Sequence, residues 1–373
     1  MELPTYAFQH ERYWATATAG AGNVTSAGLD AADHPLLGAA VQLADSDGVV
    51  LTGRISTATH PWLADHVIGG TVLFPGTGFV ELAVRAGDQV GCDELEELTI
   101  KSPLALPDRG GVQVQVVVGQ ADASGARRVG VYSRAERSSA DTPWVAHAEG
   151  LLTSATSGTT GTTGASGASG TGASGEVTHG TELAAWPPPG AEPIDIEGFY
   201  EEFTQAGAAY GPVFQGLTAA WRDGADLYAE VSLADQAAAA RFGLHPAVLD
   251  AALHTVALTG AFDGPVLPFA WSDVRLHAVG ASDVRVRLTS SGGEGVSLDV
   301  TDSTGQPVVS VGSLVLRPIS AEQLAAARSA SGGGLYRVAW SPVRVADGAG
   351  SAETAVWFVE GGCGVEGVRS ATG

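Results

Sequence analysis

Cations are scarce in this sequence. Its 373 residues carry 19 Lys and Arg against 41 Asp and Glu, a formal net charge of −22. A nucleic-acid binder needs a basic face to meet phosphates, and a protein that docks on anionic lipid needs one too. Both classes are therefore excluded. Cysteine is nearly absent: Cys92 and Cys363 are the only two. Two distant cysteines build neither a disulfide framework nor a metal cluster. No run approaches the ~20 apolar residues that span a bilayer. Residues 1–20 lack the basic start and apolar core of a secretory leader, so a reducing cytoplasm is the expected compartment. No HExxH, CxxC, phosphate-loop or GxSxG sequence occurs. The nine His residues show no metal-ligand spacing, so no metal and no nucleotide cofactor is expected. The single Met and the Gly-rich C-terminal stretch read as those of a piece of a longer chain.

What is present is a globular composition, 45% hydrophobic and 16% charged. The clearest boundary runs from Ser154 to Gly175, 22 positions of only Ser, Thr, Ala and Gly. Nothing there can bury apolar surface, so the segment reads as a flexible coil. It separates two bodies, 34–153 and 190–320, with 1–33 and 321–373 as flanks and 154–189 as the connection. In the first body Val49–Ser56 reads as a strand and Gly76–Val90 as a helix with Phe79, Val80, Ala83 and Val84 on one face. Strand-like runs follow at Leu98–Leu106, Val112–Val118, Arg128–Arg134 and Trp144–Leu152. The second body repeats the plan. Helix Ile196–Ala206 and helix Pro246–Leu258 precede runs at Trp271–His277, Asp283–Thr289, Val296–Asp302 and Val308–Arg317. One central helix followed by a meander, twice over, predicts an α+β fold of two sheets each wrapped round one helix.

Three stretches interrupt this background. His60–Gly78, HPWLADHVIGGTVLFPGTG, puts His66 ten residues ahead of the expected helix start at Gly76. Gly70, Pro75 and Gly76 there permit tight turns and close ligand approach. Alone, it reads as a Gly-rich turn with a capping His, or as a catalytic base beside free helix-terminal N–H groups. Gly207–Gly216, GAAYGPVFQG, holds Tyr210 on a restricted turn with Phe214 as an anchor. Alone, it reads as a connecting turn. His245–His254, HPAVLDAALH, places Asp250 and His254 on one helix face beside Leu249 and Leu253. It reads as a surface ion pair or as an enclosed acid. His34, His147, His179 and His277 read as ordinary.

Together these residues resemble the dehydratase domains of modular type I polyketide synthases. His66-x3-Gly70-x4-Pro75 matches that family's HxxxGxxxxP motif. Tyr210-Gly211-Pro212-x-Phe214-x-Gly216 matches YGPxFxG, Asp250-x3-His254 matches DxxxQ/H, and Leu267–Trp271, LPFAW, is similar to a further signature. Leu3–Trp14 looks like a linker that follows an acyltransferase domain, and Leu335–Trp340 like the opening of a ketoreductase structural region. One departure is Ala209, where a bulkier residue usually precedes the tyrosine.

The resemblance implies a double hot-dog fold and a homodimer. It implies acyltransferase and ketoreductase neighbours, and a substrate delivered on the phosphopantetheine arm of an acyl carrier protein. The reaction implied is loss of water from a β-hydroxyacyl thioester. His66 is then the base at the α-carbon and Asp250 the acid at the β-hydroxyl. His254 orients Asp250, and Tyr210 holds the hydroxyl. Gly70, Pro75, Gly76, Phe214 and Leu249 are expected along the substrate, and Arg317 and Arg275 at a carrier-docking surface. A double-bond isomerase or an inactive scaffold of the same fold, and a hot-dog thioesterase, are the alternatives at this stage.

Overall fold

The computed structural model describes residues 24–136, 142–154, 185–261, 264, 266–290 and 295–331. Contacts divide the chain into Met1–Gly334 and Leu335–Gly373, and every described residue belongs to the first unit. Leu3–Trp14, His179, Leu335–Trp340, Cys363 and all but the first residue of the Ser154–Gly175 run lie outside the described residues.

The first half comprises strands β1 (Asp30–His34), β2 (Leu37–Gln42), β3 (Val49–Ile55), β4 (His66–Ile68) and β5 (Thr71–Val72), then helix α1 (Gly76–Asp88). Strands β6 (Glu94–Ile100), β7 (Val112–Ala121), β8 (Arg127–Ala135) and β9 (Val145–Thr153) follow. The second half comprises β10 (Glu192–Ile194), α2 (Phe199–Gln205), β11 (Ala208–Tyr210), β12 (Leu217–Asp223) and β13 (Asp226–Ser232). Short helix α3 (Gln236–Ala239) and helix α4 (Pro246–His254) come next. Strands β14 (Val266–Leu276), β15 (Asp283–Ser290), β16 (Gly295–Asp302) and β17 (Pro307–Pro318) and helix α5 (Ala321–Ser331) complete it.

Fourteen strands form one antiparallel sheet in the order β1-β2-β3-β7-β8-β9-β6-β14-β17-β16-β15-β13-β12-β10. The halves meet edge to edge, β6 pairing β14 with Trp271 opposite Leu98. Period-2 burial along β7 and β15 turns one face of each toward its helix. Helix α1 buries nine of its thirteen residues. All nine residues of α4 are buried, Asp250 and His254 among them. Pro246 opens α4 at its first turn, and the ring of His245 caps it, Nδ1 accepting the N–H of Ala247 at 3.2 Å. Burial pulls His245 down to a pKa of about 4, which leaves that nitrogen free to accept.

Several expected boundaries move, and the run expected from Trp271 starts already at Val266. The run expected at Leu98–Leu106 is a strand only to Ile100, and Pro103 and Pro107 follow in irregular chain. The helix expected to reach Leu258 ends at His254 and tightens into a 3₁₀ turn, Thr255–Thr259. The helix expected over Ile196–Ala206 is only Phe199–Gln205, with Gly198 at φ 76° before it; this left-handed backbone keeps the residues ahead of it out of the helix.

A buried carboxylate locks the halves. Glu81 on α1 accepts the backbone N–H groups of Gly243 (2.8 Å) and Leu244 (3.0 Å) and faces Nε2 of His34 at 3.0 Å. Nearby, the Thr77 hydroxyl donates to Pro246 O at 2.9 Å. Sequence reading took His34 as ordinary and gave Glu81 no role. Truncating a buried acceptor orphans its donors, so Glu81→Ala should destabilise the protein by about 2–4 kcal/mol in urea unfolding. A change below about 0.5 kcal/mol, the scale of a surface substitution, would contradict the lock.

Candidate active site

A second, three-stranded sheet of order β11-β4-β5 carries the site. Its central strand begins at His66, and the partner of His66 in the neighbouring strand is Tyr210. Ala209 pairs with Val67 in regular register, so the small residue at that position leaves the strand intact. A 3₁₀ turn, Pro61–Asp65, delivers the chain to His66. Asp65 ties the turn after Tyr210 down: its backbone O accepts Gly211 N–H at 2.7 Å and its carboxylate accepts Val213 N–H at 3.0 Å. A Cβ on Gly211 would collide with that carboxylate, so the Gly of this motif is a packing requirement. Sequence reading missed Asp65, though it directly precedes the expected base.

His66 is 2% exposed. Its Nδ1 is 2.9 Å from Leu73 O, an acceptor only, so Nδ1 carries the proton. The lone pair is then on Nε2, 3.8 Å from Oδ2 of Asp250. Asp250 comes from α4 of the other half and is 5% exposed. His254, one turn on, holds Nε2 3.3 Å from the same oxygen, off the line of an aligned hydrogen bond. The Tyr210 ring lies 4.2 Å from the His254 ring, and the buried Phe214 ring 5.1 Å from that of His66. Burial lowers the pKa of His66, with the Asp250 charge opposing, and drives that of Tyr210 well above the phenol range. His66 is thus a free base and Tyr210 a proton-bearing phenol over the neutral range.

Two cavities meet at His66. One, of about 620 Å³, is lined by His66, Tyr210, Asp250, Leu253, His254 and Gly76. The other, of about 740 Å³, runs past His66 and Gly76 to a mouth at Lys101, Phe269, Arg317 and Gln323. Gly76 closes on the LPFAW segment: a Cβ there would sit 3.0 Å from Pro268. Of the other expected substrate contacts, Phe214 backs His66 without lining either cavity, Pro75 caps α1, and Gly70 sits in the β4–β5 turn. Leu249 faces away, toward Val80 and Val309, because the step from Asp250 turns it about 100° round α4.

The expected arginine pair does not form one patch. Leu267 pairs Arg317, whereas Arg275 pairs Ser310, roughly 26 Å further along the strand, where it binds Glu94. Among the described residues no group of three or more His, Cys, Asp or Glu side chains gathers to hold a metal. No helix there is long and apolar enough to cross a membrane.

Comparison with known proteins matches both halves. The polyketide synthase dehydratase domain family covers residues 34–134, and the polyketide synthase dehydratase N-terminal domain family covers 178–326. A dehydratase from the borrelidin and fluvirucin polyketide synthases is 47% identical over 80% of this chain and 99% of its own, with a TM-score of 0.69. The chain belongs to the polyketide synthase dehydratase domains. The dehydratase domain of the terminal rifamycin module is similar at 46% identity and TM-score 0.69, over 79% of this chain and 100% of its own. Polyketide synthase GfsA of Streptomyces halstedii is 53% identical over 94% of this chain, but the chain spans only 5% of that protein's length. The fold is the double hot-dog, and the activity is that of a hydro-lyase domain acting on 3-hydroxyacyl thioesters.

For this dehydratase the depressed His66 pKa sets a sign. If His66 takes a proton in the reaction, protonation disables it, so kcat/KM should hold as pH falls through the ordinary histidine value of about 6.5 and drop only below it. An acid limb with its midpoint above about 6.5 would contradict an enclosed His66 base.

Proposed function

We propose that His66 is the base, Asp250 the acid, His254 the residue that orients the acid and Tyr210 the residue that holds the β-hydroxyl. The observation carrying this is the pairing of the bare Nε2 of His66 with the Asp250 carboxyl, 3.8 Å apart and from different halves. Nε2 takes the α-proton, the Asp250 carboxyl gives its proton to the β-hydroxyl, and the C–O bond breaks to release water. This leaves an imidazolium beside a carboxylate. Proton transfer from His66 to Asp250, directly or through the departing water, resets both. The free N–H groups at the start of α1, by Gly76, are placed to stabilise negative charge growing on the thioester oxygen. The step is redox-neutral and so calls for no flavin or nicotinamide, and His66 and Asp250 carry both proton transfers without a metal. His66→Ala and Asp250→Asn should each lower dehydration of a 3-hydroxyacyl thioester at least ~10³-fold with the fold retained, whereas Tyr210→Phe should cost only ~10-fold. Wild-type turnover in either folded variant would remove that residue from the mechanism.

The acyl carrier protein delivers the substrate through the mouth at Arg317. The Arg317 guanidinium stacks 3.5 Å from the Phe269 ring, exposed at the rim. On a chain of net charge −22 a local cation is what an acidic carrier would find. Arg317→Glu should therefore slow turnover of carrier-bound substrate several-fold and spare a small free thioester, as paired kinetics would read. Equal losses on both would assign Arg317 to the cavity rather than to docking. The remaining organisation follows from the resemblance: a cytoplasmic homodimer, with 1–33 as post-acyltransferase linker, 34–153 and 190–320 as the two hot-dog subdomains, 154–189 as their connection and 321–373 leading into a ketoreductase region. Helix α5, within that last segment, packs Leu324 and Ala327 against Ile68, Leu73 and Ala208 around the β4–β5 turn.

A further inference from the structure

Tyr200 lies on α2, outside all three motifs, yet its hydroxyl reaches the acid's partner. The oxygen accepts the backbone N–H of Leu217 at 3.0 Å and lies 3.4 Å from Nδ1 of His254. A phenol carries one proton. Leu217 donates to the oxygen, and among the described contacts Nδ1 of His254 is the acceptor within reach of the Tyr200 proton. Burial raises the Tyr200 pKa, so the hydroxyl keeps that proton throughout the neutral range. A neutral imidazole that accepts at Nδ1 must carry its hydrogen on Nε2. Nε2 is the nitrogen 3.3 Å from Oδ2 of Asp250. The rings of Tyr210, Phe203 and Tyr200, at 4.2, 5.3 and 5.6 Å, enclose the imidazole and oppose a ring flip.

We propose that Tyr200 is a positioning residue: it holds His254 as the Nε2–H tautomer and so keeps a hydrogen, rather than a lone pair, on the nitrogen that lies 3.3 Å from Asp250. The proposal rests on the reading of Asp250 as the acid. It adds a third member to the line, Tyr200 to His254 to Asp250. With Nδ1–H instead, His254 would turn a lone pair toward the carboxyl and compete for the proton that belongs to the substrate.

The test is tautomer spectroscopy combined with a double-mutant cycle on the full chain. With histidine labelled by nitrogen-15, long-range proton–nitrogen correlation reads the ring hydrogen of each of the nine His residues, and His254→Gln assigns the signal of His254. The expected result is a hydrogen on Nε2 in the wild type and a mixture of tautomers in Tyr200→Phe. A hydrogen on Nδ1 in the wild type, or an unchanged Nε2–H tautomer in Tyr200→Phe, would overturn the proposal. In kinetics, Tyr200→Phe should lower kcat about five- to tenfold with KM changed less than about twofold. A glutamine has its donor and acceptor on separate atoms and no tautomer to select. In the His254→Gln background the same change should therefore cost less than about twofold. Equal losses in both backgrounds would trace the effect to the orphaned Leu217 N–H and end the idea. A wild-type protein that fails to dehydrate would instead sink the acid–base reading, and the tautomer spectra would still decide the role of Tyr200.

Discussion

The site depends on how two helices from different halves are held together. Helix α1 sends Glu81 into the backbone donors of Gly243 and Leu244, immediately ahead of α4. Thr77 reaches Pro246, the first residue of α4. These contacts fix the start of α4, and Asp250 follows one turn later. On the other side, β4 is held between β5 of its own half and β11 of the other, with Asp65 anchoring the turn that follows β11. His66 and Asp250 are thus brought together from both directions by groups that are themselves buried and bonded. Neither half contains a complete acid–base pair.

Environment then divides the labour. Two imidazoles and one carboxyl share a small apolar enclosure, and hydrogen bonds decide which nitrogen of His66 is bare. The Leu73 carbonyl takes the Nδ1 hydrogen of His66 and turns a lone pair toward the cavity. Desolvation keeps that base uncharged. The Tyr210 phenol stays protonated for the same reason and can donate to a substrate oxygen. Water elimination asks for a base and an acid held a few ångströms apart, and the packing brings an imidazole and a carboxyl to that separation.

Much of this was legible in the sequence, for identifiable reasons. Helices α1 and α4 carry dense apolar faces, and the runs of β7 and β15 alternate cleanly. Their ends were therefore read to within a few residues. Strands β1, β2 and β12 escaped, because DAADH, LGAAVQ and LTAAWRD are rich in alanine, which gives little strand signal. The very short strands β4, β5 and β11 have no periodicity to read. The motif residues His66, Tyr210, Asp250 and His254 converge on one cavity wall, whereas Leu249 lines a different space. Asp65, Glu81 and Tyr200 gave no signal, since their roles arise from contacts with residues 17 to 163 positions away. The arginines of the late strands looked like one group in the sequence. Antiparallel register sends Arg317 to the cavity mouth and Arg275 to the opposite end.

The central claim is that one residue from each half meets the two reacting carbons' substituents from opposite ends. The most direct measurement is a crystal structure of the Asp250→Asn protein with a 3-hydroxyacyl pantetheine thioester bound. The account predicts the α-carbon within roughly 3–3.5 Å of Nε2 of His66 and the β-hydroxyl against residue 250 and Tyr210. A substrate bound with its β-hydroxyl on His66, or with its α-carbon beyond reach of Nε2, would contradict it.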